Sequence, residues 1–174
     1  MRVSVLGCGR WGSFHAWYAH RVGHAVTLWG RAGSAHLAQL RATRTNEFLT
    51  LPEDICLTDD LVTAIRTAEI VIISIHAQAL RSFLRDLRAQ GYGEELADKY
   101  VILCMKGIEI GTGKRLTTVV HEELGAVVKP VVWVGPGHVQ DFVRGIPNCM
   151  VLAGEDRDAL HTLVDVLGSP LIRF

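Results

Sequence analysis

The sequence predicts a doubly wound α/β fold, a mostly parallel sheet with helices on both faces. Three observations carry this. Short apolar runs alternate with longer amphipathic stretches. The runs are nearly continuous in apolar residues, which implies burial on both sides of the sheet. The first run ends in clustered glycines that open a helical pattern. With 174 residues, 49% of them hydrophobic, the chain reads as one domain, residues 1–174, able to bury a full core.

Each element has its own signal. Val3–Leu6 is the first strand, and Trp11–Val22 is a helix closed by Gly23, a good C-cap residue. Ala25–Trp29 is the second strand. Ser34 is placed to cap a helix through Leu37, Leu40 and Arg41. Asp59-Asp60-Leu61 opens a helix to Ala68, with acid at the end the dipole prefers. Ile70–Ile75 is a β-branched strand, followed by a helix over Ala77–Ala89 with Leu80, Phe83, Leu84 and Leu87 three and four apart. Tyr100–Met105, Val131–Val134 and Cys149–Ala153 are the remaining strands. Lys114–Leu124 and Asp156–Leu167 are the remaining helices.

Charge excludes some functions. Eighteen basic residues balance 18 acidic ones, so nothing favours nucleic acid or an anionic membrane as partner. No apolar run approaches the roughly 20 residues of a membrane span, and the glycine-broken N-terminus does not read as a signal peptide. Four widely spaced cysteines match no zinc or redox pattern. Cys104 and Cys149, in apolar runs, read as buried thiols, and a cytoplasmic location is expected. The histidines show no metal spacing, so no metal is expected. Asp59-Asp60 and Glu122-Glu123 read as helix-end and solvated charges, and the four tryptophans as packing.

Gly7-Cys8-Gly9-Arg10-Trp11-Gly12 is a GxGxxG directly between a strand and a helix. Gly7 permits the tight turn, Gly9 lets a pyrophosphate approach the backbone, and Gly12 lets helix and strand pack closely. The helix N-terminus then offers free N–H groups to phosphate. NAD or NADP is the expected ligand of this Rossmann-type loop, with S-adenosylmethionine as the alternative. The second strand ends in Trp29-Gly30-Arg31, without the acid that would hold ribose hydroxyls. Arg31 is placed to stack on adenine or pair with a 2′-phosphate, which leans towards NADP; a solvated surface arginine is the plainer reading.

The glycine loop and Gly23-His24-Ala25-Val26-Thr27-Leu28-Trp29-Gly30-Arg31 resemble the opening of NAD(P)-dependent glycerol-3-phosphate dehydrogenases. Later blocks agree in order: Leu51-Pro52-Glu53-Asp54-Ile55, Gln78-Ala79-Leu80-Arg81, Lys106-Gly107-Ile108-Glu109, Gly135-Pro136-Gly137 with Gly145-Ile146-Pro147, and Leu171-Ile172-Arg173-Phe174 as a last strand. The resemblance implies a cofactor site of Gly7, Gly9, Arg10, Trp11, Gly12, Arg31, Phe48, His76, Gly137 and Val139. It implies Lys106 in contact with substrate, although alone Lys106 reads as a surface lysine and Phe48 equally as a core contact. Sites in such sheets lie beyond the carboxyl ends of the strands.

The pattern is broken in places. His76 and Ala77 stand where the family has proline and serine or threonine, Gly137 where it has serine, and Val139 where it has a small residue. Gln140-Asp141 keeps only part of an acidic position. The resemblance also implies a helical second domain with a proton-transferring lysine and a phosphate-gripping arginine and asparagine, absent from residues 1–174. The expected function is therefore the dinucleotide-binding part of an enzyme interconverting sn-glycerol 3-phosphate and glycerone phosphate, inactive alone. The alternatives are another reductase of ketopantoate or hydroxyacid type and a stand-alone redox sensor. A homodimer through an exposed apolar face is also expected.

Overall fold

The computed structural model describes all residues, Met1–Phe174. The elements run β1 (Arg2–Leu6), α1 (Arg10–Arg21), β2 (Ala25–Trp29), α2 (Ala35–Thr43), β3 (Cys56–Thr58), α3 (Leu61–Thr67), β4 (Ile70–Ile73), α4 (Leu80–Ala89) and β5 (Tyr100–Leu103). They continue with α5 (Leu116–Leu124), β6 (Pro130–Val134), α6 (Val139–Val143), β7 (Asn148–Cys149), β8 (Val151–Ala153), α7 (Arg157–Leu167) and β9 (Ile172–Arg173).

The main sheet has the order β3-β2-β1-β4-β5-β6-β8, parallel throughout except for the antiparallel β8 at its edge. This is the doubly wound arrangement the sequence predicts. The apolar strands feed two cores by simple alternation. Val3, Val5, Ile70, Ile72, Ile102 and Trp133 face one side, towards Phe14, Tyr18, Leu163 and Leu167 of α1 and α7. Leu6, Val71, Ile73, Val101 and Leu103 face the other, towards Leu80, Leu84, Leu116 and Val120 of α4 and α5.

Helix starts follow the local chemistry. Ser34 accepts from the Leu37 N–H, Asp60 from Thr63, and Asp156 from both Asp158 and Ala159. A short 3₁₀ turn, Ala77–Ala79, precedes α4, so the predicted helix begins one turn late.

Several expectations need correction. The run Cys149–Ala153 is not one strand. It breaks at Met150, whose N–H bonds to the Arg173 carbonyl at 2.8 Å, so that β7 pairs with β9 while β8 pairs with β6. β3 and α6 were not foreseen. Cys149 is exposed, because β7 lies outside the main sheet; Cys104 is largely buried, and burial pushes its thiol well above the usual range. Glu123 is not a solvated charge: it is buried and surrounded by arginines from α4.

Candidate functional site

A cavity of about 850 Å³ runs along the carboxyl edge of the sheet, from β2 across β1 and β4 to β5 and β6. At one end its wall is Trp29, Gly30, Arg31 and His36; in the middle it is the Gly7–Gly12 loop. The far end is formed by Ser74–Ala77, Cys104–Lys106, Trp133–Gly135 and Met150.

The loop is built for backbone approach. Gly7 has φ +118°, and a Cβ there would lie 2.2 Å from the Ser74 carbonyl oxygen. A Cβ on Gly12 would lie 1.7 Å from the Gly7 oxygen, so only glycine lets α1 start this close to β1 and β4. Gly9 differs: a Cβ there would meet nothing within 4 Å. That open space is where a ligand can press on the chain. α1 has no side-chain cap, and the N–H groups of Arg10, Trp11 and Gly12 have no partner in the protein. Three free donors at a helix start form an anion cradle, and their fit to a diphosphate is good.

The structure brings most predicted residues to this cavity: Gly7, Gly9, Arg10, Trp11, Gly12, Arg31, His76 and Lys106 all line it. Lys106 follows β5 directly, and its ammonium donates to the Gly135 carbonyl at 3.0 Å, bridging the ends of β5 and β6. Phe48 does not line the cavity; the Arg10 guanidinium lies 4.5 Å above its ring, so Phe48 supports the loop from outside. Gly137 and Val139 stand behind the wall rather than on it. Val139 is fully buried in the core beneath α1. A Cβ on Gly137 would sit 2.3 Å from the Phe142 ring, so Phe142 fills the space a serine would need. Phe142 in turn stacks on Phe14 of α1 at 5.2 Å.

The loop after Lys106 is tied down from α4. Gln78 donates to the Ile108 carbonyl and accepts from the Ile110 N–H, at 2.9 and 2.8 Å. Arg81 grips Glu109 with two nitrogens, at 2.6 and 2.8 Å, and also reaches Glu122 and Glu123 on α5. Arg81 and the Thr112 hydroxyl hold the Glu109 carboxyl down at about 2. Arg81 itself is pushed further up by Glu109, Glu122 and Glu123.

Two cavity residues escaped the sequence reading. His15 sits on α1, three residues after Gly12, and Trp133 on β6; both residues border the cavity while remaining almost wholly buried. They meet edge to face at 4.7 Å. Both nitrogens of His15 and the indole nitrogen of Trp133 are buried without a hydrogen-bond partner. Burial drives the His15 pKa down to about 4, so the ring is neutral at physiological pH. The available signal was the position of His15 on the sheet-facing stripe of α1, with Gly12 and Ala19.

Residues 2–160 match the family described as NAD-dependent glycerol-3-phosphate dehydrogenase N-terminus. The chain is 36% identical over 170 residues to a glycerol-3-phosphate dehydrogenase [NAD(P)+] of Thermoanaerobacter sp. (strain X514), covering 95% of this chain and 49% of that protein. It is 36% identical over 174 residues to one from Bradyrhizobium diazoefficiens, covering 98% of this chain and 51% of that protein. The chain thus spans about half the length of these curated relatives. The crystal structure of glycerol-3-phosphate dehydrogenase from Coxiella burnetii superposes with a TM-score of 0.85 at 23% identity, over 99% of this chain and 52% of that one. That likeness concerns the fold.

Proposed function

The chain belongs to the NAD-dependent glycerol-3-phosphate dehydrogenase family, by its N-terminal part, and on that premise we propose that residues 1–174 are the NAD- or NADP-binding portion of an oxidoreductase interconverting sn-glycerol 3-phosphate and glycerone phosphate. The observation carrying this reading is the set of unpartnered amides of Arg10, Trp11 and Gly12, opening into the cavity beside the free space over Gly9.

A bound nicotinamide dinucleotide supplies the hydride-exchanging ring. The chain's own residues position it. The Arg10–Gly12 amides hold the diphosphate, and Arg31, at the end of β2, meets the adenosine end; with no acid beside it, both NAD and NADP are accommodated. His76 borders the opposite end. Lys106, tethered to Gly135, presents its ammonium there and orients an oxygen of the substrate. Residues 1–174 alone bind dinucleotide with little turnover in this reading.

No helix is long and apolar enough to cross a membrane. The reading places the protein in the reducing cytoplasm, in keeping with four free thiols, and includes self-association through exposed apolar side chains such as Ile110 and Val151.

Titration calorimetry with NADH, NADPH and ADP-ribose tests the site. All three should bind, and Gly9→Ala, whose Cβ meets no atom within 4 Å, should keep the fold and weaken ADP-ribose at least tenfold. Absence of binding by all three at millimolar concentration refutes the reading.

A further inference from the structure

We propose that His15 and Trp133 form a subsite for a neutral primary amide, the carboxamide of a nicotinamide ring, and that they discriminate against its carboxylate counterpart. This rests on the dinucleotide reading of the cavity given above and adds which atoms recognise the reactive end.

A buried donor or acceptor without a partner costs about 1–3 kcal/mol, and most buried polar groups in folded proteins are satisfied. Here two such side chains lie against each other in one wall, at 4.7 Å between ring centroids. The rest of their surroundings is aromatic: Trp11 and Phe14 flank His15, while Tyr18 and Phe174 flank Trp133. The Tyr18 hydroxyl in that shell is engaged by the Leu167 carbonyl and Ser169, and beside the imidazole stands only the Trp11 carbonyl, one turn back on α1, which can satisfy one ring nitrogen and not both. What remains is the cavity.

Position fixes which part of the ligand arrives there. The cradle of α1 holds the diphosphate at mid-cavity, and Arg31 lies at the β2 end. His15 and Trp133 lie on the β6 side with Lys106, Val134 and Gly135, which is the end left for the nicotinamide.

Chemistry fixes the group. Neutral imidazole offers one donor and one acceptor, and indole offers one donor. A primary amide is the complement: its oxygen accepts from the Trp133 Nε1–H, and one N–H donates to the unprotonated His15 nitrogen. A carboxylate would bring a second acceptor to that nitrogen and a net charge into an apolar wall, which is strongly unfavourable. In the structure the ring nitrogens are closed off from solvent. Rotation of the imidazole about its terminal torsion, which has a broad minimum, turns a nitrogen towards the cavity.

The experiment compares NAD⁺, nicotinic acid adenine dinucleotide and ADP-ribose on the same protein by calorimetry. The wild type should bind NAD⁺ at least tenfold more tightly than the nicotinic acid form. His15→Leu and Trp133→Phe should each bring that ratio below threefold, with ADP-ribose affinity unchanged within twofold. Equal binding of the two dinucleotides by the wild type overturns the subsite, as does a ratio that survives in both variants. If ADP-ribose itself does not bind, the cavity reading fails, a separate result. Should the variants not fold, the wild type still decides: the Trp133 indole N–H resonance should shift with NAD⁺ and not with ADP-ribose, and the same shift with both overturns the proposal.

Discussion

On the α4–α5 face of the sheet every buried charge is answered; on the α1 face, beneath the same cavity, two polar rings are left unanswered. Glu123, only 5% exposed at its side chain, faces Arg81 at 2.6 Å and Arg85 at 3.1 Å, with Arg88 also on its backbone carbonyl. Arg81 spends its remaining donors on Glu109 and Glu122. Across the sheet, no side chain answers the ring nitrogens of His15 or the Trp133 indole. The first neighbourhood fixes a loop, and its hydrogen bonds are complete before any ligand arrives. The second keeps hydrogen-bonding capacity in reserve, a pattern suited to a wall whose partner is a ligand rather than the protein.

The largest effect should come from breaking the complete side. Arg81→Met leaves Glu109 without its bidentate partner and removes the shortest contact of Glu123. Removing one member of a buried ion cluster is far more damaging than replacing the whole cluster. The urea midpoint should fall by on the order of 1 M with an unchanged slope. A midpoint equal to that of the wild type would mean that Arg85 and Arg88 carry Glu123 without it, and the contrast would lose its first half.

Acid separates the two neighbourhoods by pH window. His15 has its folded pKa depressed by burial to about 4, from 6.5. The unfolded chain therefore binds the extra proton, and stability present above pH 6.5 is lost as pH falls towards 4, by about 3 kcal/mol. Burial also lowers His24, which adds to the same window. Glu109, depressed to about 2 from 4.5, contributes stability that is intact above pH 4.5 and lost between there and pH 2. Urea unfolding at successive pH values should show both losses. His15→Leu should flatten the upper window and leave the lower one in place; an unchanged upper window would show that His15 is not buried as the neutral ring.

The same contrast explains what the sequence could and could not reveal. β1, α1 and β2 were legible because their signals are local: an apolar run, three glycines at fixed spacing, and a helix stop at Gly23. β3 was not, being three half-exposed residues, and the break at Met150 is set by pairing with β9 more than 20 residues away. The loop glycines, Arg31 and Lys106 reach the cavity because each stands at or just after a strand end. Glu123 looked like a surface charge because its three arginines come from another helix. Gly137 and Val139 looked like wall residues because a motif gives order along the chain, whereas burial depends on which ring arrives from α6. His15 and Trp133 were read as bland residues because an unpaired nitrogen leaves no mark in a sequence.

Gly137 sharpens the unanswered side from a second direction. Phe142 occupies its Cβ position and stacks on Phe14, the neighbour of His15. Gly137→Ser should therefore destabilise by about 2 kcal/mol through overpacking, and Phe142→Leu in the same chain should recover part of that loss. A double-mutant cycle measures the coupling. Simple additivity would mean that the serine finds room elsewhere and that the aromatic cluster is not what excludes it.

The smallest effect should also have the opposite sign. At pH 8 both the folded and unfolded forms of His15 are neutral, so charge plays no part in its contribution. What remains is an imidazole that loses its bonds to water on folding and gains none in return. Leucine has a similar bulk and no bonds to lose, and replacing an unsatisfied polar group by an apolar one of like shape is neutral to stabilising. His15→Leu should raise stability at pH 8 by about 1 kcal/mol, read from the urea midpoint. Arg81→Met, at the same pH, should lower it. Opposite signs from two polar deletions in one domain would show that the α4–α5 bonds hold the fold, while the α1 face carries a cost that only a bound ligand relieves; a loss of stability in His15→Leu would show that His15 already has a partner.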